Sequence, residues 1–126
     1  MITIYREAIY RVTKENVMDN NYALTESTYY IMLALYRPAH GYGIMQQVEE
    51  MSSGRVRLAP GTLYGALTSL TEKKWIRPLP VEAGSRKKEY ELTDLGRAVL
   101  LKEIGRLREL LENGDRITGG EENERN

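Results

Sequence analysis

The chain has 126 residues, 41% of them apolar, and its 18 basic and 18 acidic side chains balance to a formal net charge of zero. It holds no cysteine and one histidine, His40, which excludes disulfides, thiol chemistry and cysteine-based zinc sites and calls for no metal or cofactor. Neither a long uncharged apolar run nor the three zones of a signal peptide is legible, so the length reads as one cytoplasmic, non-membrane domain with one extra helix.

In chain order, residues 1–23 read as an N-terminal extension. Ile2, Tyr5, Ile9 and Val12 recur at helical spacing before Asp19-Asn20-Asn21 breaks the pattern. Met18 opens a stretch, MDNNYALTESTYY, that itself looks like a protein start. Residues 1–17 are therefore open to two readings, an amphipathic helix or an upstream extension.

Residues 24–93 carry the pattern of a winged helix-turn-helix. Thr25 is a good N-cap with Glu26 in the first turn, where the helix dipole favours an acid. That first helix should run to about Arg37, before Pro38, and its apolar residues cover nearly all faces. A second helix is expected from about Tyr42 to Met51, ended by Ser52-Ser53-Gly54. Arg55 to Leu58 alternates as a very short strand would, its arginines available to phosphates or simply solvated. Pro60 opens a third helix at the position where a missing N–H costs nothing, with Leu63, Ala66, Leu67 and Leu70 as its core stripe. Trp75 to Val81 reads as an edge strand because of Pro78 and Pro80. Glu82 to Ser85 turns, and Lys88 to Leu92 returns. Thr93 then caps a last helix over 94–113, expected to stop at Asn113-Gly114 and to leave 114–126 as a disordered acidic tail. In that helix Leu100, Ile104, Leu107 and Leu111 step by 4, 3 and 4, a seam at coiled-coil spacing that suits a second copy of the chain.

The zero net charge hides an uneven distribution. From Pro60 to Tyr90 six bases face three acids, a net +3, whereas from Glu112 to Asn126 two bases face five acids, a net −3. The bases Arg86, Lys87 and Lys88 stand together at the hairpin turn, where adjacent cations suit a nucleic-acid backbone or a solvated tip. The third helix starts Pro60-Gly61-Thr62-Leu63-Tyr64, and its outer face adds Gly65, Thr68 and Ser69. Small residues permit close approach, hydroxyls and free helix N–H groups suit phosphates, and the Arg, Asn and Gln that read bases bidentately are missing. Tyr42, set between Gly41 and Gly43, reads either as a phosphate-contacting hydroxyl or as an aromatic filling the corner between helices. His40 reads as a turn residue and Trp75 as packing. No nucleophile has a base beside it and no Gly-rich phosphate loop is present, so the sequence points away from an enzyme.

The segments LTESTYYIMLAL, HGYGIMQQVEE, APGTLYGALTSL and SRKKEYELTDLGR, in this order over about Leu24 to Asn113, resemble the PadR-like transcriptional regulators. The single short last helix is similar to the small subclass of that family. The resemblance implies a winged helix, a dimer through the last helix, repression of nearby promoters and relief by a small molecule. The family's DNA-contacting Tyr, its Gly-Thr-Leu-Tyr turn and its basic wing fall on Tyr42, on Gly61, Thr62 and Tyr64, and on Arg86 to Lys88. Some small members stack flat drugs on an aromatic of the last helix, and Asp94 to Asn113 contains none. Tyr29, Tyr30 and Tyr36 of the first helix then become the candidate effector pocket.

The expectation is a mainly α (α+β) protein, a winged helix-turn-helix with a C-terminal dimerisation helix. Its expected function is a homodimeric, DNA-binding transcriptional repressor on a palindromic operator in double-stranded DNA, answering to a small-molecule effector. A winged-helix protein-interaction module without a specific DNA site is the alternative, favoured by the zero net charge and the Arg-poor third helix.

Overall fold

The computed structural model describes residues 23–121; the predicted helix through Ile2, Tyr5, Ile9 and Val12 lies outside them. Helix α1 spans Glu26–Ala34, with the Thr25 hydroxyl accepting the Thr28 amide at 3.1 Å. It closes earlier than the predicted Arg37, with the Leu35 and Tyr36 amides each reaching three residues back, to the Met32 and Leu33 carbonyls at 3.1 Å, which tightens the last turn. Ile31, Met32, Ala34 and Leu35 enter the core.

A two-residue strand, β1 (Ala39–His40), leads into α2 (Gly41–Met51), whose buried residues are Gly41, Ile44 and Val48. His40 is the N-cap of α2, its Nδ1 accepting the Gly43 amide at 3.3 Å. After α2 the buried Ser52 hydroxyl accepts the Val56 amide at 2.9 Å, and Ser53 and Gly54 both take positive φ. This curls the chain into a turn, so the strand expected over Arg55–Leu58 does not form. Helix α3 (Pro60–Glu72) follows and buries Leu63, Leu67 and Leu70.

The wing is built from β2 (Ile76–Pro78) and β3 (Glu89–Leu92), antiparallel with Ile76 opposite Leu92. β2 is shorter than the predicted Trp75–Val81. It lies at a sheet edge, where Pro78 is tolerated, because β1 pairs with the other side of β3 to give the order β1-β3-β2. The chain is thus an α+β winged helix.

Helix α4 spans Asp94–Thr118, capped by the Thr93 hydroxyl, which accepts the Gly96 amide at 3.0 Å. A Cβ on Gly96 would collide with the Trp75 carbonyl, its carbon only 2.8 Å away, so glycine is what lets α4 start against β2. The helix passes through Asn113-Gly114 and ends at Gly119, whose φ of 69° is left-handed. The predicted tail is therefore helical as far as Thr118, and Ile117 falls on a helix face.

The two halves of α4 differ. Val99, Leu100 and Glu103 are buried in the protomer's own body, whereas Leu107, Leu110, Leu111 and Ile117 are exposed. Leu100, placed in a partner seam by its spacing, is 1% exposed and belongs to the core cluster, and Ile104 packs against that cluster. Glu103 sits at the boundary and is only 3% exposed. It receives Arg106 in two hydrogen bonds of 2.6 and 2.8 Å and the Leu24 amide at 3.0 Å. The hydrogen bonds from Arg106, opposed by burial and helped by the Leu24 amide, hold its carboxyl below the usual range.

Candidate nucleic-acid interface

The residues singled out on α2, α3 and the wing meet in one cleft. His40, Gly41, Tyr42, Tyr64, Arg86, Lys87, Lys88 and Tyr90 line a depression of about 360 Å³. Tyr42 is the first-turn residue that points outward. It is 63% exposed, which removes the corner-filling reading, and Gln46 donates to its hydroxyl at 3.4 Å. Tyr64 comes from the first turns of α3 and is 52% exposed. Its ring lies across the start of α2, where a Cβ on Gly41 would stand 2.6 Å from the Tyr64 hydroxyl oxygen. Gly41 thus makes room for a tyrosine brought in from another helix.

The wing supplies the charge. The Ser85 amide donates to the Glu82 carbonyl at 3.0 Å, Gly84 takes a φ of 83°, and the Lys87 amide donates to the Ser85 hydroxyl at 3.2 Å. This turn folds the three cations back towards the two tyrosines. Arg86, Lys87 and Lys88 form no ion pair among the described residues; Lys88 lies 5.7 Å from the Tyr90 ring centroid. Other cations are neutralised. Arg77 pairs with Glu91 across β2 and β3, Arg106 with Glu103, and Arg57 with Glu49 at 4.0 Å. Arg55 pairs with Glu26, and its hydrogen bond draws the Glu26 carboxyl below its ordinary value. Arg55 therefore ties the α2–α3 turn to α1 and is not a free phosphate donor.

The α3 N-terminus completes the surface. Ala59 offers no side-chain cap, and the Leu63 amide is the first to find a helical carbonyl, so the amides of Gly61 and Thr62 remain open to an anion. Gly61, Thr62, Gly65, Thr68 and Ser69 are all exposed. A Cβ would meet nothing within 4 Å at Gly61 or Gly65, so packing inside the protomer does not require glycine at either. The Thr68 hydroxyl donates to the Tyr64 carbonyl at 2.9 Å, which spends its proton and leaves its lone pairs and methyl outward. On the far side of Tyr42 the sign reverses: a groove of about 610 Å³ carries Glu49 and Glu50. The wing side of α2 thus carries the cations of the cleft, and the far side carries carboxylates.

The three tyrosines expected to share a pocket do not all meet. Tyr29 and Tyr30 are neighbours with ring centroids 5.9 Å apart. Tyr36 stands at the other end of α1, with the Arg97 guanidinium 4.3 Å from its ring centroid and donating to its carbonyl at 3.1 Å. Burial, then Tyr30 and Glu103, hold the Tyr29 phenol above its usual range. Among the described residues no group of three or more acidic or histidine side chains could hold a metal, and no helix is long and apolar enough to cross a membrane.

Sequence reasoning missed Gly41 and His40. The HGYG run shows that glycines flank Tyr42, but not that the room belongs to a tyrosine 23 positions beyond Gly41.

Comparison with known proteins agrees with this fold. Residues 30–102 match the transcriptional regulator PadR-like family. A solved PadR-like transcription factor from Bacteroides fragilis is 32% identical with a TM-score of 0.60, over 71% of this chain and 87% of that one. A PadR family transcription regulator from Clostridium difficile shares the fold at a TM-score of 0.65 and 24% identity, over 75% of this chain and 99% of that one. A relative outside the solved structures is an uncharacterised 37.1 kDa protein in transposon TN4556 of Streptomyces fradiae, 44% identical over 66 residues. Those residues are 52% of this chain and 18% of that protein, so the chain spans under a fifth of that relative's length. The chain belongs to the PadR-like family of transcriptional regulators, proteins that bind DNA.

Proposed function

We propose that the protein is a homodimeric repressor that seats a DNA backbone phosphate in the cleft of Tyr42, Tyr64 and the wing. The observation that carries this reading is the convergence in one depression of two exposed tyrosines and three cations that form no ion pair among the described residues. Charge-assisted contacts from Arg86, Lys87 and Lys88 supply sequence-independent affinity. The open amides of Gly61 and Thr62 fix the register of α3 against a second phosphate. The face of Gly61, Thr62, Gly65 and Thr68 then lies in the major groove. With no Arg, Asn or Gln on it, this face reads DNA shape and thymine methyls more than guanine edges.

Dimerisation is assigned to Leu107 and Leu111, with Leu110 and Ile117 beside them, on the half of α4 that its own body leaves uncovered. Ile104 stays at the root of the seam, and Leu100 is inside the protomer. On a palindromic site the two-fold axis would have to set the two α3 helices about 34 Å apart, one turn of DNA. Tyr29 and Tyr30, close to Glu103 at the boundary of the two halves of α4, are the assigned place for an effector; Tyr36 is not part of it. The setting is the cytoplasm, where DNA is reached.

The test is fluorescence anisotropy of the full chain on the duplex upstream of its own gene and on a shuffled duplex at one salt concentration. The reading expects the native duplex to bind at least about 1,000-fold more tightly. Equal affinities would return the protein-interaction alternative.

A further inference from the structure

Glu103 is the only charged side chain buried among the described residues, at 3% exposure. Taking a carboxylate out of water is costly, and an apolar residue of similar size in such a place often leaves a fold as stable or more so. What the acid adds is direction. It stands where α4 leaves the body, with Val99 and Leu100 in the core before it and Leu107 and Leu111 exposed beyond it. Its two bonds from Arg106 stay within α4. Its third comes from the Leu24 amide, just ahead of the Thr25 cap of α1, at 3.0 Å. At the far end of α1, Arg97 of α4 donates to the Tyr36 carbonyl at 3.1 Å.

Hydrogen bonds therefore tie α1 to α4 at both ends of α1. The apolar contacts between the two helices are non-directional and tolerate rotation, whereas a hydrogen bond weakens steeply as it bends. Small errors at this root are magnified outward. From Glu103 to Ile117 the helix extends about 21 Å, so a tilt of about 10° displaces its outer end by about 4 Å. That is more than one base-pair step, about 3.4 Å.

We infer that Glu103 is a positioning residue: by accepting the Leu24 amide it fixes the angle between α1 and α4, and so the separation of the two α3 helices in the dimer. The inference rests on the dimer through α4 proposed above. Glu103 touches no DNA itself; it sets where the second α3 meets its half-site.

The chain has no cysteine, so Glu72→Cys at the exposed end of α3 gives one spin label per protomer. The experiment is the label-to-label distance distribution of the full chain, by pulsed electron resonance, alone and combined with Glu103→Gln or Glu103→Met. Both substitutions remove the charge and let the part-exposed Arg106 turn to solvent. Glutamine keeps an oxygen for the Leu24 amide, and methionine, of similar shape, does not. The distribution should be narrow with Glu103 and with Glu103→Gln, and at least about twofold broader with Glu103→Met. The melting temperatures of the two variants should agree within about 5 °C. Without the label, Glu103→Met should bind the native duplex at least about tenfold more weakly than Glu103→Gln, and the shuffled duplex equally. If Glu103→Met does not fold, Glu103→Leu replaces it under the same criteria. Equal widths for the two variants in an intact dimer would overturn the inference alone. A wild type that is monomeric in light scattering gives no distance, and would overturn the dimer reading and this inference with it.

Discussion

The cleft at the wing and the outer half of α4 are two surfaces of opposite origin. The cleft is polar and collects residues from positions 40 to 90, which only the tertiary fold brings together. The α4 stripe is apolar and comes from one uninterrupted helix. A periodic pattern reveals that a helix has an apolar side, but not whether its own core or another chain receives that side. Leu100 and Leu111 obey the same spacing, and one is 1% exposed while the other is 60% exposed. Conversely, nothing periodic links Tyr42, Tyr64 and Lys88, yet they share a site.

The sharpest way to break this contrast is to charge the outer stripe. Leu107→Asp with Leu111→Asp places two carboxylates in the proposed seam without touching the core. We expect the dimer to weaken at least about 1,000-fold, roughly 4 kcal/mol, by light scattering across a dilution series, with helical circular dichroism retained. A variant that stays dimeric would move the interface elsewhere.

Leu100→Ala probes the inner half of the same helix. It should cost about 3 kcal/mol in urea unfolding at fixed protein concentration, through the cavity left in the core. The folded variant should keep its oligomeric state. Loss of the dimer with little loss of stability would put Leu100 back in the seam.

Gly41→Ala probes the cleft. The clash it creates is with the far end of Tyr64, an exposed side chain that can rotate away. Stability should change by less than about 1 kcal/mol. DNA affinity should fall about tenfold, because the Tyr64 hydroxyl leaves its place beside Tyr42. A large fall in melting temperature would instead make Gly41 a packing residue.

Much of the fold was legible because its signals are local. The caps at Thr25 and Thr93, the proline opening α3 and the edge position of β2 each follow from one or two residues. The failures have physical reasons of longer range. β1 exists only because Ala39 and His40 find Tyr90 and Glu89 across the sheet. Arg55–Leu58 alternates like a strand, but Ser52 and two positive-φ residues bend it first. Asn113-Gly114 looked like a stop, but α4 runs on to Gly119. In the site, the residue types on α3 and the wing were readable, and their association with Tyr42 came from the family resemblance, since no spacing in the sequence shows it. Arg55 was ambiguous until Glu26 appeared beside it.

The central claim is that wing cations hold the DNA backbone at the cleft, and the salt dependence of binding tests it most directly. The affinity of the full chain for its native and shuffled duplexes would be measured over a range of salt for the wild type and for Arg86→Ala with Lys87→Ala. Two lost phosphate contacts should reduce the slope of log affinity against log salt by about 1.8, and weaken both duplexes alike. An unchanged slope would contradict the account and remove the wing from DNA binding.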